Sequence, residues 1–113
     1  MNYFRTFTLC LALLVGQFVA ADIKTITLAS EISLSEFRAP ASINGVASFR
    51  KCESCELQVV SVTRNTRYEF NRHVVTLQKF RKSLATVTNR ERETVIVKHH
   101  LESDVITSIS LNL

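Results

Sequence analysis

The residues with the clearest chemical potential are two cysteines, Cys52 and Cys55, in a C-x-x-C arrangement. A pair at this spacing can form a disulfide, act as a redox-active dithiol or supply half of a zinc site. As a disulfide the pair closes a loop of four residues, and chain entropy gives such a link roughly 2 kcal/mol of stability. We expect this structural disulfide, because residues 1–21 resemble a cleaved export signal. Its removal takes Cys10 with it and leaves two of the three cysteines, and an even number in an oxidising compartment favours pairing.

Redox and zinc chemistry need further residues around the cysteine pair. A reactive thiol usually lies at a helix N-terminus, where the dipole stabilises the thiolate, but the residues after Cys55 predict a strand. A zinc site needs two more ligands, and the candidates are His73, His99 and His100. His99 and His100 point to opposite faces of a strand, so only one of them can join His73, and we take His99. A thiol-redox or zinc-binding protein that uses Cys52, Cys55, His73 and His99 is therefore the alternative function, with zinc as its cofactor.

Hydrolytic catalysis finds little support in the sequence. Asp22 would be the first residue after removal of the leader, and Asp104 lies in a predicted turn. No aspartate is therefore placed to orient a serine–histidine pair. Only two glycines are present, which excludes a glycine-rich phosphate loop. We therefore expect a non-catalytic protein without a cofactor.

A possible binding face lies around one predicted hairpin, since Arg64, Arg67, Tyr68 and Arg72 occur within nine residues of one another. Exposed aromatic and arginine side chains are the usual anchors of protein interfaces. The favoured interpretation of this segment, however, is a core Tyr68 with a fringe of solvated arginines.

The charge is mildly basic. The whole chain carries +4, and without Arg5 the remaining 13 lysines and arginines face 10 acids, which leaves about +3. Basic and acidic residues alternate in places, as in residues 90–93, which predicts paired charges on a solvated strand face. The least neutralised stretch contains Lys79, Arg81 and Lys82. This pattern is too weak for a nucleic-acid binder and favours an unknown acidic protein or an anionic component of the cell envelope as partner.

Residues 1–21 have the layout of a secretory signal peptide. Arg5 precedes an apolar run over residues 7–15 that includes Cys10. Small residues up to Ala21 then form the expected cleavage site, before Asp22. The apolar run is too short to span a bilayer comfortably, and no run of eighteen apolar residues follows it, so we expect no transmembrane segment after cleavage. The sequence thus predicts an exported protein, periplasmic or secreted, whose residues 22–113 form a single small β domain.

Alternation of apolar and polar residues dominates residues 22–113 and predicts about six strands. The principal strands are expected at residues 26–34, 46–51, 57–62, 66–70, 94–100 and 105–113. In the last strand the alternation places Val105, Thr107, Ile109, Leu111 and Leu113 on one face.

One segment has helical spacing instead. Leu77, Phe80 and Leu84 recur at i, i+3 and i+7, and Thr76 precedes them as a candidate N-cap. The expected fold class is therefore all-β with one short helix.

A twisted sheet of about six strands curls on itself, so we expect a small β-barrel or roll, with a two-sheet β-sandwich as the alternative. The chain has 46% hydrophobic and 21% charged residues, as one ordinary folded domain does. The expected function is that of a non-catalytic binding, accessory or structural module of the cell envelope.

Overall fold

The computed structural model describes residues 26–113, which form one β-sheet with a short helix packed against it. In chain order the elements are β1 (Thr27–Ser33), a 3-10 turn (Leu34–Glu36), β2 (Phe37–Arg38), β3 (Val46–Phe49), β4 (Gln58–Phe70), β5 (His73–Val75), α1 (Leu77–Ala85), β6 (Thr94–His100) and β7 (Val105–Leu111). This confirms the predicted class, all-β with one short helix. The predicted signal peptide, residues 1–21, lies outside the described residues.

The strands form a curled half-barrel in the order β1-β6-β7-β4-β3-β2, and β5 adds a short strand to β4. Neighbouring strands are antiparallel except β4 and β7, which run parallel. Strand β7 lies along one edge of β4. The other edge of β4 pairs with β3 at residues 58–61 and with β5 at residues 68–70. The curled sheet agrees with the predicted barrel or roll.

Strand β4 joins two segments that the sequence predicts as separate strands. Its pairing with β7 shifts between Val62 and Arg67, where four residues of β4 lie against one residue of β7. The Thr66 hydroxyl fills this irregularity: it accepts a hydrogen bond from the Thr63 N–H at 2.9 Å and donates one to the Ile106 carbonyl at 2.7 Å. Thr66 is buried, so both bonds satisfy polar groups that would otherwise lose water without a partner.

The prediction for the start of β7 is wrong. Pairing with β6 shifts between Lys98 and His99, which makes Thr107 an extra residue in a β-bulge. The bulge reverses the alternation, so Ile106 is buried together with Ile109 and Leu111, while Thr107 is exposed. The alternation of apolar and polar residues cannot reveal a bulge, because the extra residue is defined by the pairing with the neighbouring strand.

The helix packs its apolar face on the sheet as its spacing predicts. Leu77, Phe80 and Leu84 are buried, and Phe80 places its ring 5.4 Å from that of Tyr68 on β4. The Thr76 side chain caps the helix by accepting a hydrogen bond from the Lys79 N–H at 3.2 Å. These contacts fix the direction in which the helix presents its outer side chains.

Candidate functional site

Cys52 and Cys55 lie in the connection between β3 and β4. Their sulfur atoms are at disulfide distance, and their Cα atoms are 5.0 Å apart. The Cys55 N–H also donates to the Cys52 carbonyl at 3.1 Å, which closes a tight turn. The chain continues into β4 and not into a helix, so no helix dipole is available at this position to lower the pKa of a thiol.

The structure does not bring together the four residues of the zinc alternative, Cys52, Cys55, His73 and His99. Within residues 26–113, no group of three or more His, Cys, Asp and Glu side chains is arranged to hold a metal ion. His73 is exposed on β5, whereas the His99 Nε2 atom lies 2.8 Å from an oxygen of Asp104. His99 therefore ties the end of β6 to the turn before β7.

The predicted binding face is divided between the two sides of the sheet. Arg64, Arg67 and Arg72, here called the hairpin arginines, are exposed, and Arg67 forms an ion pair with Glu69 at 3.6 Å. Tyr68 points to the opposite side, because successive side chains of a strand alternate, and only 5% of it is exposed. The segment thus presents three separate arginines and no aromatic anchor.

The buried Tyr68 hydroxyl has an unusual position. Among the described residues it is the one buried side-chain polar atom without a hydrogen-bond partner. Burial disfavours the charged phenolate and raises the pKa of Tyr68 above its ordinary value of 10.0. Tyr68 therefore contributes to the core at the cost of an unsatisfied hydroxyl.

Two adjoining cavities next to β2 form a concave site lined by several arginines. Their volumes are about 370 and 240 Å³, and both are lined by Phe37, Arg38 and Arg90. The first is completed by Ser35, Glu36, Ser48, Arg50 and Leu57, and the second by Ala39, Arg81, Leu84 and Ala85. We call the pair the arginine groove, and Arg38, Arg50, Arg81 and Arg90 the groove arginines.

Strands β2 and β3 position the first two groove arginines. Arg38 lies opposite Ser48 on the outer face of the sheet, while its neighbour Phe37 is buried against the core. Arg50 follows β3 directly, and its backbone N–H donates to the Glu36 carbonyl at 3.1 Å. The Arg50 guanidinium is also 3.9 Å from the Glu36 carboxylate, so its charge is partly neutralised.

The helix α1 and the loop after it position the other two groove arginines. Arg81 projects from α1 and donates to the Ala41 carbonyl at 3.3 Å. Arg90 reaches back to the end of the helix and donates to the Leu84 carbonyl at 2.9 Å, where the helix dipole favours a cation. Each bond uses one of the five N–H donors of a guanidinium, so donors remain to meet a ligand.

The second cavity is the more basic of the two. Arg38, Arg81 and Arg90 line it without any acidic residue, whereas Glu36 faces the first cavity. In the part of the chain that the structure describes, no carboxylate forms an ion pair with these three arginines. Planar guanidinium groups bind carboxylates and phosphates through paired hydrogen bonds, so this cavity suits an anionic group.

The prediction of paired charges on a strand face at residues 90–93 is wrong. These residues form a turn before β6, and Arg90 bonds to a backbone carbonyl at the end of α1 and not to Glu91 or Glu93. The sequence signal for the groove is limited to Arg81, which belongs to the least neutralised stretch. The other groove arginines come from separate segments that only the fold brings together.

A scan against protein-family models, a search of curated proteins and a search of solved structures each found no match to the chain. No helix among residues 26–113 has the length and apolar character needed to cross a membrane. The fold and the groove define a small curled β-sheet protein with a basic concave site between β2 and α1.

Proposed function

We propose that the protein is an exported, non-catalytic β domain of the cell envelope, periplasmic or secreted, that binds an anionic ligand in the arginine groove. The observation that carries the proposal is the second cavity, where Arg38, Arg81 and Arg90 converge from three segments without a neutralising acid. The leader-like residues 1–21 and the cysteine pair at disulfide distance support export.

Guanidinium groups favour binding over catalysis. They remain protonated at every physiological pH, so they do not exchange protons with a substrate, but they supply fixed charge and directed donors. Buried apolar side chains of Phe37 and Leu84 also line the second cavity and reduce competition from water for those donors. Because the rim is open to solvent, added salt should weaken the interaction.

The test is a nuclear magnetic resonance titration of the ¹⁵N-labelled protein with inorganic phosphate and with acetate. The protein is recovered from the export compartment, and its intact mass shows whether the chain begins at Asp22. We expect the amide signals of Arg38 and Ala85 to shift at low ionic strength, because both residues line the second cavity. The double variant Arg38→Gln/Arg81→Gln should bind about tenfold more weakly, since each exposed charge contributes up to about 1 kcal/mol.

The matched control is Arg64→Gln/Arg72→Gln, which removes the same charge from the hairpin arginines. This control should bind as the unaltered protein does. Equal weakening of anion binding in both double variants would mean that binding depends only on the net charge of the protein. The proposal that the groove is the binding site would then be wrong. A chain that keeps residues 1–21 in the mature protein would contradict export by a cleaved leader.

A further inference from the structure

An exposed apolar strip lies beside the arginine groove on the outer face of the sheet. It consists of Val46 on β3, Val59 on β4 and Leu57 just before β4, and their exposed fractions are 49%, 59% and 53%. Single exposed apolar residues are ordinary, but a contiguous patch with a polar border is typical of an interaction site.

The strip is continuous with the groove through the strand register. Arg38 pairs with Ser48, and Ser48 pairs with Val59, so these three residues form one row across β2, β3 and β4. Val46 is a diagonal neighbour of Val59, within reach of the same ligand side chain. Leu57 lines the first cavity itself, so it joins the two surfaces directly.

The buried face of the same strands keeps this surface in place. Ala47, Phe49 and Val60 alternate with the strip residues and are packed in the core. The strip therefore belongs to a paired region of the sheet with a fixed shape. A binding surface on such a support loses little entropy when a ligand is bound.

We propose that the ligand of the groove is an acidic segment of a partner protein that also carries apolar side chains. Its carboxylates would bind Arg38, Arg81 and Arg90, and its apolar side chains would cover the apolar strip. This inference rests on the proposed anion binding and adds the class of partner. An apolar centre beside arginine anchors is the composition found in protein–protein interfaces.

Sugars and nucleic-acid bases fit the groove less well. Both ligand classes gain from stacking on exposed aromatic rings, but the one aromatic residue of the groove, Phe37, is 6% exposed. A membrane surface also fits less well, because a neighbouring depression carries three acids, Glu36, Glu53 and Glu91, against two cations, Arg50 and Lys51. A narrow peptide segment can place its carboxylates in the second cavity, which has no acidic lining residue.

The test compares four probes by fluorescence anisotropy or direct competition. They are a blocked peptide with four glutamates and two leucines, the same peptide with the leucines replaced by serine, inorganic tetrapolyphosphate, and phosphatidylglycerol vesicles. We expect the glutamate–leucine peptide to bind about tenfold more tightly than the serine version, because burial of one or two apolar side chains supplies that difference. It should also compete better than tetrapolyphosphate.

The variant Val46→Thr/Val59→Thr changes two strip residues that line neither cavity, so it should reduce the preference for leucine several-fold and leave acetate binding unchanged. The matched control is Val74→Thr/Leu113→Ser, whose residues are 67% and 60% exposed and do not line the groove. The control should keep the preference. Equal affinity for both peptides, or binding to vesicles without binding to peptide, would overturn the choice of partner. Anion binding would survive that result, whereas a failure of every anion to bind would remove both proposals.

Discussion

The two sets of arginines differ in how they come to share a surface. The hairpin arginines are neighbours in sequence, yet they lie apart on an irregular length of β4 and on the turn after it. The groove arginines come from four segments, yet they line two adjoining cavities. Residues that are neighbours along a strand point to opposite faces of the sheet. Residues from different elements can instead point into the same cavity.

The two sets also differ in how their charges are held. Arg67 pairs with Glu69 on its own strand, an exposed contact of small energetic value. Arg81 and Arg90 donate instead to backbone carbonyls of other segments, which orients the guanidinium groups without neutralising them. Arg81 and Arg90 therefore carry oriented charge without an acidic partner, whereas the charge of Arg67 is compensated. The predictions below test this difference.

The largest effect is expected from Phe80→Ala, which removes the fully buried residue that fixes α1 on the sheet. The cavity left behind should lower the free energy of unfolding by about 3–5 kcal/mol, as measured by urea denaturation. Because Arg81 follows Phe80 in the helix, phosphate binding in the groove should weaken even at temperatures where the variant is folded.

Phe80→Leu is the control for this experiment. It keeps most of the volume and should cost about 1 kcal/mol, with little change in phosphate binding. If Phe80→Ala lost stability but bound phosphate normally, the helix would not be what positions Arg81. The contrast between Arg81, oriented by the fold, and the hairpin arginines would then be wrong.

A smaller effect is expected from Cys52→Ser/Cys55→Ser. Loss of a link that closes four residues should lower the free energy of unfolding by roughly 2 kcal/mol. The disulfide loop separates Arg50 from Leu57, so one end of the groove should loosen, while Arg81 at the other end stays in place. We expect acetate to bind the variant nearly normally and the glutamate–leucine peptide to bind it more weakly.

Reduction of the unaltered protein without mutation provides the comparison. It should reproduce the loss of stability, and the protein should bind no zinc in native mass spectrometry. Bound zinc, or thiol-dependent activity that disappears in a folded double variant, would instead support the redox or metal alternative for this cysteine pair.

Local patterns in the sequence were sufficient for most elements of the fold. Thr76 predicts the start of α1 because capping depends on residues within one turn, and residues 94–100 predict β6 because consecutive β-branched residues favour a strand. The bulge at Thr107 and the irregularity at Thr66 were not predictable, since each depends on pairing with a strand distant in sequence.

The groove was not predictable for the same reason. Arg38 and Arg81 are separated by more than forty residues, and no periodicity relates a two-residue strand to the outer side of a helix. The hairpin arginines attracted attention because they are close in sequence, a measure that carries little information about shared cavities. Tyr68 is an exception, because its alternation with the charged Arg67 and Glu69 already indicates that it lies on the apolar face of β4.

The smallest effect, and one of opposite sign, is expected from Tyr68→Phe. The substitution keeps the ring that packs on Phe80 and removes a buried hydroxyl without a partner, so the free energy of unfolding should rise by about 1 kcal/mol at neutral pH. Anion binding in the groove should not change. Loss of ligand binding in this variant would restore Tyr68 as an anchor and contradict its assignment to the core.

The pH dependence of stability supplies the control. Burial raises the pKa of Tyr68 in the folded protein, so above the ordinary value of 10.0 the unfolded chain releases this proton first. Ionisation then favours the unfolded state, and the stability of the unaltered protein should fall as pH rises above about 10. Tyr68→Phe lacks this group, so its stability should decline less over the same range. Parallel decline of the two proteins would show that the hydroxyl reaches solvent, and the separation of Tyr68 from the exposed hairpin arginines would fail.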